Sequence, residues 1–215
     1  MTHQKTQIVL IRHGETLWNL EGRIQGHLDS PLTDVGLAQA DALAKHFKFQ
    51  KFAALYSSDL GRAYETARKI SEQNGLPIIK ERQLRERNFG LLQGVIKDTL
   101  ANKFPEAYRH YRARDPAYVV PKGESFKQFH ARCIKCFNEL AQKHNKQRIL
   151  VVAHGGVLVS LFKHTLNIPL EAPRRFLSLN TSINIFSYQE GNWMLEVWGD
   201  LSHLHHTRSL DDSVE

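Results

Sequence analysis

The 215-residue chain has 41% hydrophobic and 24% charged residues, the balance of one large globular domain or of one domain with an insertion. Its net charge of +7 favours anionic partners such as phosphate esters. No block of basic residues, zinc-finger, basic-zipper or RNA-stacking motif accompanies that charge, which argues against a specific nucleic-acid target. Two cysteines make no disulfide framework, no apolar run reaches the length of a membrane span, and the polar start Met1–Gln7 has no signal core. A cytoplasmic protein without membrane association, a monomer or homodimer, is expected.

In chain order, Gln7–Arg12 reads as a buried strand that ends on Arg12-His13-Gly14-Glu15-Thr16, with Gly14 placed for a tight turn. A loop follows to Pro31. Thr33 is a helix N-cap, and Leu37, Ala40, Leu43, Ala44 and Phe47 recur at helical spacing, so Thr33–Phe47 is a helix. Phe52–Tyr56 is a second strand. Ser57-Ser58-Asp59 is a turn leading into a helix cap, and Leu60, Ala63, Ala67 and Ile70 form the stripe of a helix that ends near Gly75. Pro77–Lys80 is a third strand.

From Leu84 to Gly123 the periodicity weakens, and between Lys97 and Lys122 six basic residues stand against three acidic ones. This stretch reads either as an insertion lying over the strand ends, approximately residues 91–123, or as a solvated surface excursion. Ser125 caps a helix whose face carries Phe126, Phe129, Cys133, Phe137 and Leu140. Arg148–Ala153 is a buried strand, His154-Gly155-Gly156 ends it, and Val157–Leu166 is a helix. Ile183–Tyr188 and Trp193–Trp198 make a hairpin around Glu190-Gly191-Asn192. Residues 1–206 then form a single α/β domain, followed by a polar tail, 207–215. Alternating strands and helices predict a three-layer α/β/α sandwich with a largely parallel sheet, helices on both faces and a helical insertion over the active site.

Two histidines and two arginines at strand-to-helix junctions suit phosphoryl transfer, which needs a nucleophile, fixed cations and an acid for the leaving oxygen. His13 is the candidate nucleophile if one ring nitrogen is fixed on a backbone carbonyl and the other aims outward. Arg12 and Arg62 offer guanidinium forks, Arg62 from the first turn of its helix, where backbone N–H groups also favour an anion. Asn19 and Gln25 are neutral donors. A protonated His154 could hold phosphate, with Gly155 at the helix start beside it. Glu86 is the candidate acid, provided that partial burial or a bound anion keeps it protonated. Arg85 and Arg87 are either surface charge or partners of Glu86. Trp18, Phe89 and Tyr111 are candidates for the pocket mouth. No Asp/Glu/His constellation has metal-ligand spacing, and His130, Cys133 and Cys136 read as core packing. His203, His205 and His206 read as a solvated ending.

These residues also carry a resemblance. Arg12-His13-Gly14-Glu15-Thr16 with Trp18-Asn19, Pro31-Leu32-Thr33, Ser57-Ser58-Asp59-Leu60 with Arg62-Ala63, Leu84 with Glu86, Gly123-Glu124-Ser125, Val151-Val152-Ala153-His154-Gly155-Gly156 and Ser202-His203-Leu204 together resemble the histidine phosphatase superfamily. The similar branch holds cofactor-dependent phosphoglycerate mutases and their phosphatase relatives. The resemblance implies that His13 becomes phosphorylated, that Arg12, Arg62 and His154 form the phosphate pocket, and that Glu86 protonates the leaving oxygen and then activates the second acceptor. It implies no metal and no cofactor.

Family mutases carry an adjacent arginine pair in the insertion. Here that stretch reads Tyr108-Arg109-His110-Tyr111-Arg112-Ala113-Arg114, without the pair. The resemblance therefore favours a metal-independent phosphatase acting on a small phosphorylated metabolite. The alternative is a phosphoglycerate mutase primed by 2,3-bisphosphoglycerate. A non-catalytic phosphate-binding module comes third.

Overall fold

The computed structural model describes residues 5–205; the expected polar tail 207–215 and His206 lie outside the described residues. Its centre is a six-stranded sheet: β1 (Thr6–Arg12), β2 (Leu55–Ser57), β3 (Ile78–Lys80), β4 (Arg148–Ala153), β5 (Ile183–Gln189) and β6 (Asn192–Asp200). The spatial order is β3-β2-β4-β1-β5-β6. The first four strands run parallel and the last two are antiparallel.

Seven α-helices accompany the strands among the described residues: α1 (Leu17–Leu20), α2 (Asp34–Phe47), α3 (Gly61–Asn74), α4 (Leu100–Lys103), α5 (Pro105–Arg112), α6 (Phe126–Lys143) and α7 (Gly155–Thr165). Successive side chains of a strand point to opposite faces, and β1 shows how this builds three layers. Ile8 and Leu10 pack with Phe129 and Phe137 of α6 and Leu158 and Leu161 of α7. Val9 and Ile11 pack with Leu43 and Phe47 of α2 and Ala63, Ala67 and Ile70 of α3. The α/β/α sandwich expected from the alternation is the architecture observed.

Several boundaries shift from the sequence reading. The second strand begins at Leu55 rather than Phe52, because Phe52 turns into the α2–α3 core instead of joining the ladder. The helix α3 has Leu60 at its N-cap with no side-chain cap, so Asp59 does not cap it. Asp59 instead forms a bidentate pair with Arg85, both contacts at 2.6 Å. Gly14 serves close approach rather than a turn: a Cβ there would stand 2.6 Å from the Gly36 carbonyl oxygen, and one on Gly36 would stand 2.0 Å from that of Glu15.

Residues 89–120 are not an extended surface excursion. They fold over the carboxyl ends of the parallel strands as short helical turns around a small core of Leu92, Leu100, Ala107 and Val120, which Ile24 from the loop after β1 completes.

Candidate active site

The strand ladder itself brings the two histidines together. Arg12 of β1 pairs with Ala153 of β4, so the next residues, His13 and His154, leave neighbouring strands side by side. The His13 amide continues the ladder to the Ala153 carbonyl at 3.0 Å, and on the other side of β4 the Ser58 amide reaches Val152 at 3.0 Å. Ligands in open α/β sheets bind at this edge, beyond the carboxyl ends of the strands where the chain order reverses.

His13 is 3% exposed. Its Nδ1 lies 2.8 Å from the Gly14 carbonyl oxygen, which can only accept, so Nδ1 carries the proton. Nε2 is then a lone-pair nitrogen, and Arg62 Nε donates to it at 3.3 Å. Asn180 Nδ2 holds the His13 carbonyl at 3.0 Å. A neutral imidazole with one nitrogen pinned and the other presented is the form a nucleophile requires.

Arg62 is fully enclosed. Its Nη1 donates to Leu28 O at 2.9 Å and to Asp29 Oδ1 at 3.0 Å, and its Nη2 donates to Gly26 O at 2.8 Å. Burial lowers its pKa, and the Asp29 carboxylate acts against that shift. The same carboxylate accepts from the first amides of α3, those of Gly61 and Arg62. The helix N-terminus expected to favour a phosphate is thus occupied by Asp29. Arg12 donates through Nη1 to the Ser178 carbonyl.

His154 is fully buried, with its ring 5.2 Å from that of His13 in an edge contact. Its Nε2 is 2.8 Å from Ser58 Oγ, whereas its Nδ1 has no hydrogen-bond partner among the described residues. Burial holds its pKa well below 6.5, and the charges of Arg62, His13 and Arg12 act in the same direction. Both effects favour the neutral ring, so the protonated form that could hold phosphate depends on a nearby anion.

Glu86 follows the third strand and accepts from two amides, Arg87 at 2.8 Å and Gly156 at 2.9 Å. The Gly156 contact needs glycine, because a Cβ there would stand 2.2 Å from Glu86 Oε1. His27 Nε2 donates to the Glu86 carbonyl at 2.9 Å, tying this residue to the loop after β1. Asn19 and Gln25 are buried. Gln25 Nε2 donates to Thr16 Oγ1 at 2.8 Å, and Thr16 Oγ1 in turn donates to Asn19 Oδ1 at 2.9 Å, so the two amides brace the loop. Arg85 and Arg87 do not pair with Glu86: Arg85 holds Asp59, and Arg87 Nε donates to Glu124 O at 3.0 Å.

A cavity of about 210 Å3 opens here. Arg12, His13, Asn19, Gln25, Arg62, Glu86 and Gly155 line it, and His154 lies buried beside them without reaching the wall. Phe89 and Tyr111 also line the cavity, whereas Trp18 does not. Among the described residues, no group of three or more His, Cys, Asp or Glu side chains is arranged to hold a metal ion, and no helix is long and apolar enough to cross a membrane. Cys133 and Cys136 pack in the core.

Sequence reasoning missed Asp29, Ser58, Ser178 and Asn180. Ser58 stood inside a quoted motif. Ser178 and Asn180 lie 166 and 167 positions from the residues they hold, and no local pattern marks them.

Comparison with known proteins supports the grouping. A sequence profile described as the histidine phosphatase superfamily (branch 1) matches residues 8–201. Phosphoglycerate mutase-like protein 4 of Arabidopsis thaliana is 41% identical over 208 residues, 95% of this chain and 89% of that protein. Metal-independent phosphoserine phosphatase of the same plant is 41% identical over 202 residues, 93% of this chain and 83% of that protein. Among solved structures, Bacillus stearothermophilus YhfR superposes with a TM-score of 0.86 at 33% identity, covering 93% of this chain and 100% of that one.

Proposed function

The chain belongs to the histidine phosphatase superfamily, and we propose that it hydrolyses small phosphomonoesters through a phosphohistidine on His13. The observation that carries this is the state of His13: Nδ1–H held on the Gly14 carbonyl, Nε2 unprotonated and facing the Arg62 side of the cavity.

In the first step the Nε2 lone pair attacks phosphorus while the ester P–O bond breaks, and Glu86 gives a proton to the departing oxygen. In the second step the Glu86 carboxylate takes a proton from water, the resulting hydroxide displaces Nε2, and inorganic phosphate leaves. Arg12 and Arg62 offset the charge on the equatorial oxygens. His154 backs the His13 ring from behind the cavity lining, and an anion in the cavity raises its proton affinity. Side chains supply the cations, so the reaction needs no metal. This accords with the name of an Arabidopsis relative, metal-independent phosphoserine phosphatase.

The decisive experiment is acid-quench trapping with a 32P-labelled ester. The wild-type protein is expected to hold acid-labile label and His13→Ala to hold none and turn over nothing. Full turnover by the variant eliminates the mechanism.

The mutase reading keeps one observation in its favour, Arg114 in the cavity wall, together with the mutase-like name of a relative. A 3-phosphoglycerate isomerisation assay with 2,3-bisphosphoglycerate as primer separates it from hydrolysis. Absence of turnover with retained phosphate binding points to the non-catalytic module.

A further inference from the structure

Glu86 stands on a stretch of chain without regular structure. Residues 85–89 belong to no helix or strand and lie between short helical turns at Arg82–Leu84 and Gly90–Leu92. No ladder fixes such a backbone, so its carbonyls and amides need other partners. Arg132 of α6 supplies several. Its Nη1 donates to Gln83 O at 2.6 Å and to Arg85 O at 3.1 Å, and its Nη2 donates to Glu86 O at 3.4 Å. Nη2 also donates to Glu124 Oε1 at 2.7 Å. That carboxylate oxygen accepts from the Asn88 amide at 2.8 Å, and the Glu124 amide donates to Asn88 O at 3.0 Å. One ion pair therefore holds the chain on both sides of Glu86.

The anchor is rigid. α6 runs for 18 residues, starts on a capping box at Ser125 and buries Phe129, Cys133 and Phe137 in the core. The Arg132 guanidinium lies over the Phe129 ring, 5.1 Å from its centroid. A planar fork can span several acceptors at once, which the single ammonium of a lysine cannot. Arg132 does not line the cavity, so it acts on a reaction there only through Glu86.

What depends on this hold is the direction of the Glu86 carboxyl group, whose Oε2 accepts from the Gly156 amide at 2.9 Å. Gly156 lies in the first turn of α7, where backbone amides have no partner within the helix. A displacement of about 1 Å in a reacting group can cost on the order of 10²-fold in rate.

Resting on the hydrolase reading with Glu86 as its acid, we propose that Arg132, braced by Glu124, is a positioning residue that aims the Glu86 carboxyl at the oxygen leaving phosphorus. As the ester P–O bond breaks, the proton passes from Glu86 to that oxygen. A leaving group that departs readily as an anion depends least on the aim.

The test compares kcat/KM for 4-nitrophenyl phosphate, whose nitrophenolate departs without a proton, and benzyl phosphate, whose alkoxide does not. Arg132→Met is expected to lower kcat/KM about 30-fold on benzyl phosphate and less than about threefold on 4-nitrophenyl phosphate, a part of the roughly 10²–10⁴-fold that general acid catalysis supplies. Arg132→Lys keeps the charge without the fork and should fall between wild type and Arg132→Met. In a Glu86→Gln background, Arg132→Met should change the benzyl value less than about twofold, because both act through one carboxyl. The Gly156 amide should lose hydrogen-exchange protection by about tenfold in Arg132→Met. Should that variant not fold, Glu124→Gln removes the charge but leaves an oxygen for the Asn88 amide, and should show the same preference for the benzyl ester at about fivefold. Equal losses on the two esters, an undiminished effect of Arg132→Met in the Glu86→Gln background, or unchanged Gly156 protection overturns the proposal. Absence of a phosphohistidine in the trapping experiment sinks the hydrolase reading instead. The Gly156 protection needs no turnover and still decides whether Arg132 holds the carboxyl, so the two failures are distinguishable.

Discussion

Asp29 is expected to act on the reaction through Arg62 although it does not line the cavity. Its carboxylate accepts from the Gly61 and Arg62 amides and from Arg62 Nη1 at 3.0 Å. Replacing it by Ala removes an N-terminal helix cap, about 1 kcal/mol, and a charge-assisted bond to a buried guanidinium, about 1.5–3 kcal/mol. Because the Asp29 side chain is 40% exposed, the second figure is discounted for solvent screening. A total of about 2–3 kcal/mol lowers Tm by roughly 4–12 °C in a chain of this size.

The kinetic effect is bounded by the roughly 10²–10³-fold cost of deleting a preorganised donor outright. Arg62 keeps its bonds to Gly26 and Leu28, so about a tenfold fall in kcat with little change in KM is expected. Asp29→Asn keeps an oxygen for the amides but not the charge, and should fall between wild type and Asp29→Ala. The assays are thermal unfolding by circular dichroism and steady-state hydrolysis of an aryl phosphate. An Asp29→Ala protein with Tm within about 2 °C of wild type and unchanged kcat would refute the coupling.

Ser58→Ala removes the partner of His154 Nε2 and frees the ring to exchange tautomers, so kcat should drop about tenfold and the 15N shifts of His154 should move; neither changing would remove Ser58 from the site. Gly36→Ala forces a Cβ onto the Glu15 carbonyl and should destabilise by about 1–3 kcal/mol or prevent folding, read from urea midpoints. Burial lowers the pKa of both His130 and His203 to about 4. With an unfolded value near 6.5, the unfolded chain binds more protons between these limits, so stability is present above pH 6.5 and falls on acidification toward pH 4. After discounting for partial exposure, each contributes about 1 kcal/mol between pH 7 and 5; a denaturant midpoint that is flat over that range counts against both. Burial pushes the Cys136 thiol up to about 12 and raises that of Cys133 as well, so native protein should resist alkylation at pH 8 and react only on unfolding; rapid labelling of the folded protein would contradict this.

What was readable in the sequence followed local periodicity. β4 matches its expected bounds because six residues from Arg148 to Ala153 are unbroken and flanked by turn chemistry. The α2 cap at Thr33 is where the side chain said it should be, accepting from the Gly36 amide at 2.9 Å. Asp59 misled because an acidic residue before a helix looks like a cap, and only tertiary structure shows that Arg85 claims it while Asp29, 32 positions before Gly61, does the capping. Arg12, His13 and His154 stood at strand ends and Arg62 in the first turn of a helix, places that periodicity can locate. The carbonyls and amides that orient them come from Leu28, Ser178 and Asn180, and their contribution is backbone position or long-range pairing that no spacing encodes. The insertion was least readable because its helices are short, and its core is completed by a residue outside it.

That last arrangement has a consequence for how such enzymes can be recombined. Ile24 sits in the core of the covering segment, its amide donates to the Val95 carbonyl at 2.9 Å, and the Gly94 amide returns the bond to Ile24 at 2.7 Å. A chimaera that exchanges residues 91–123 alone would inherit a plug cut for a different socket. Transplanting residues 22–25 together with that segment moves plug and socket as one cassette, and leaves the neighbouring histidines on the sheet as a common chassis for new selectivities.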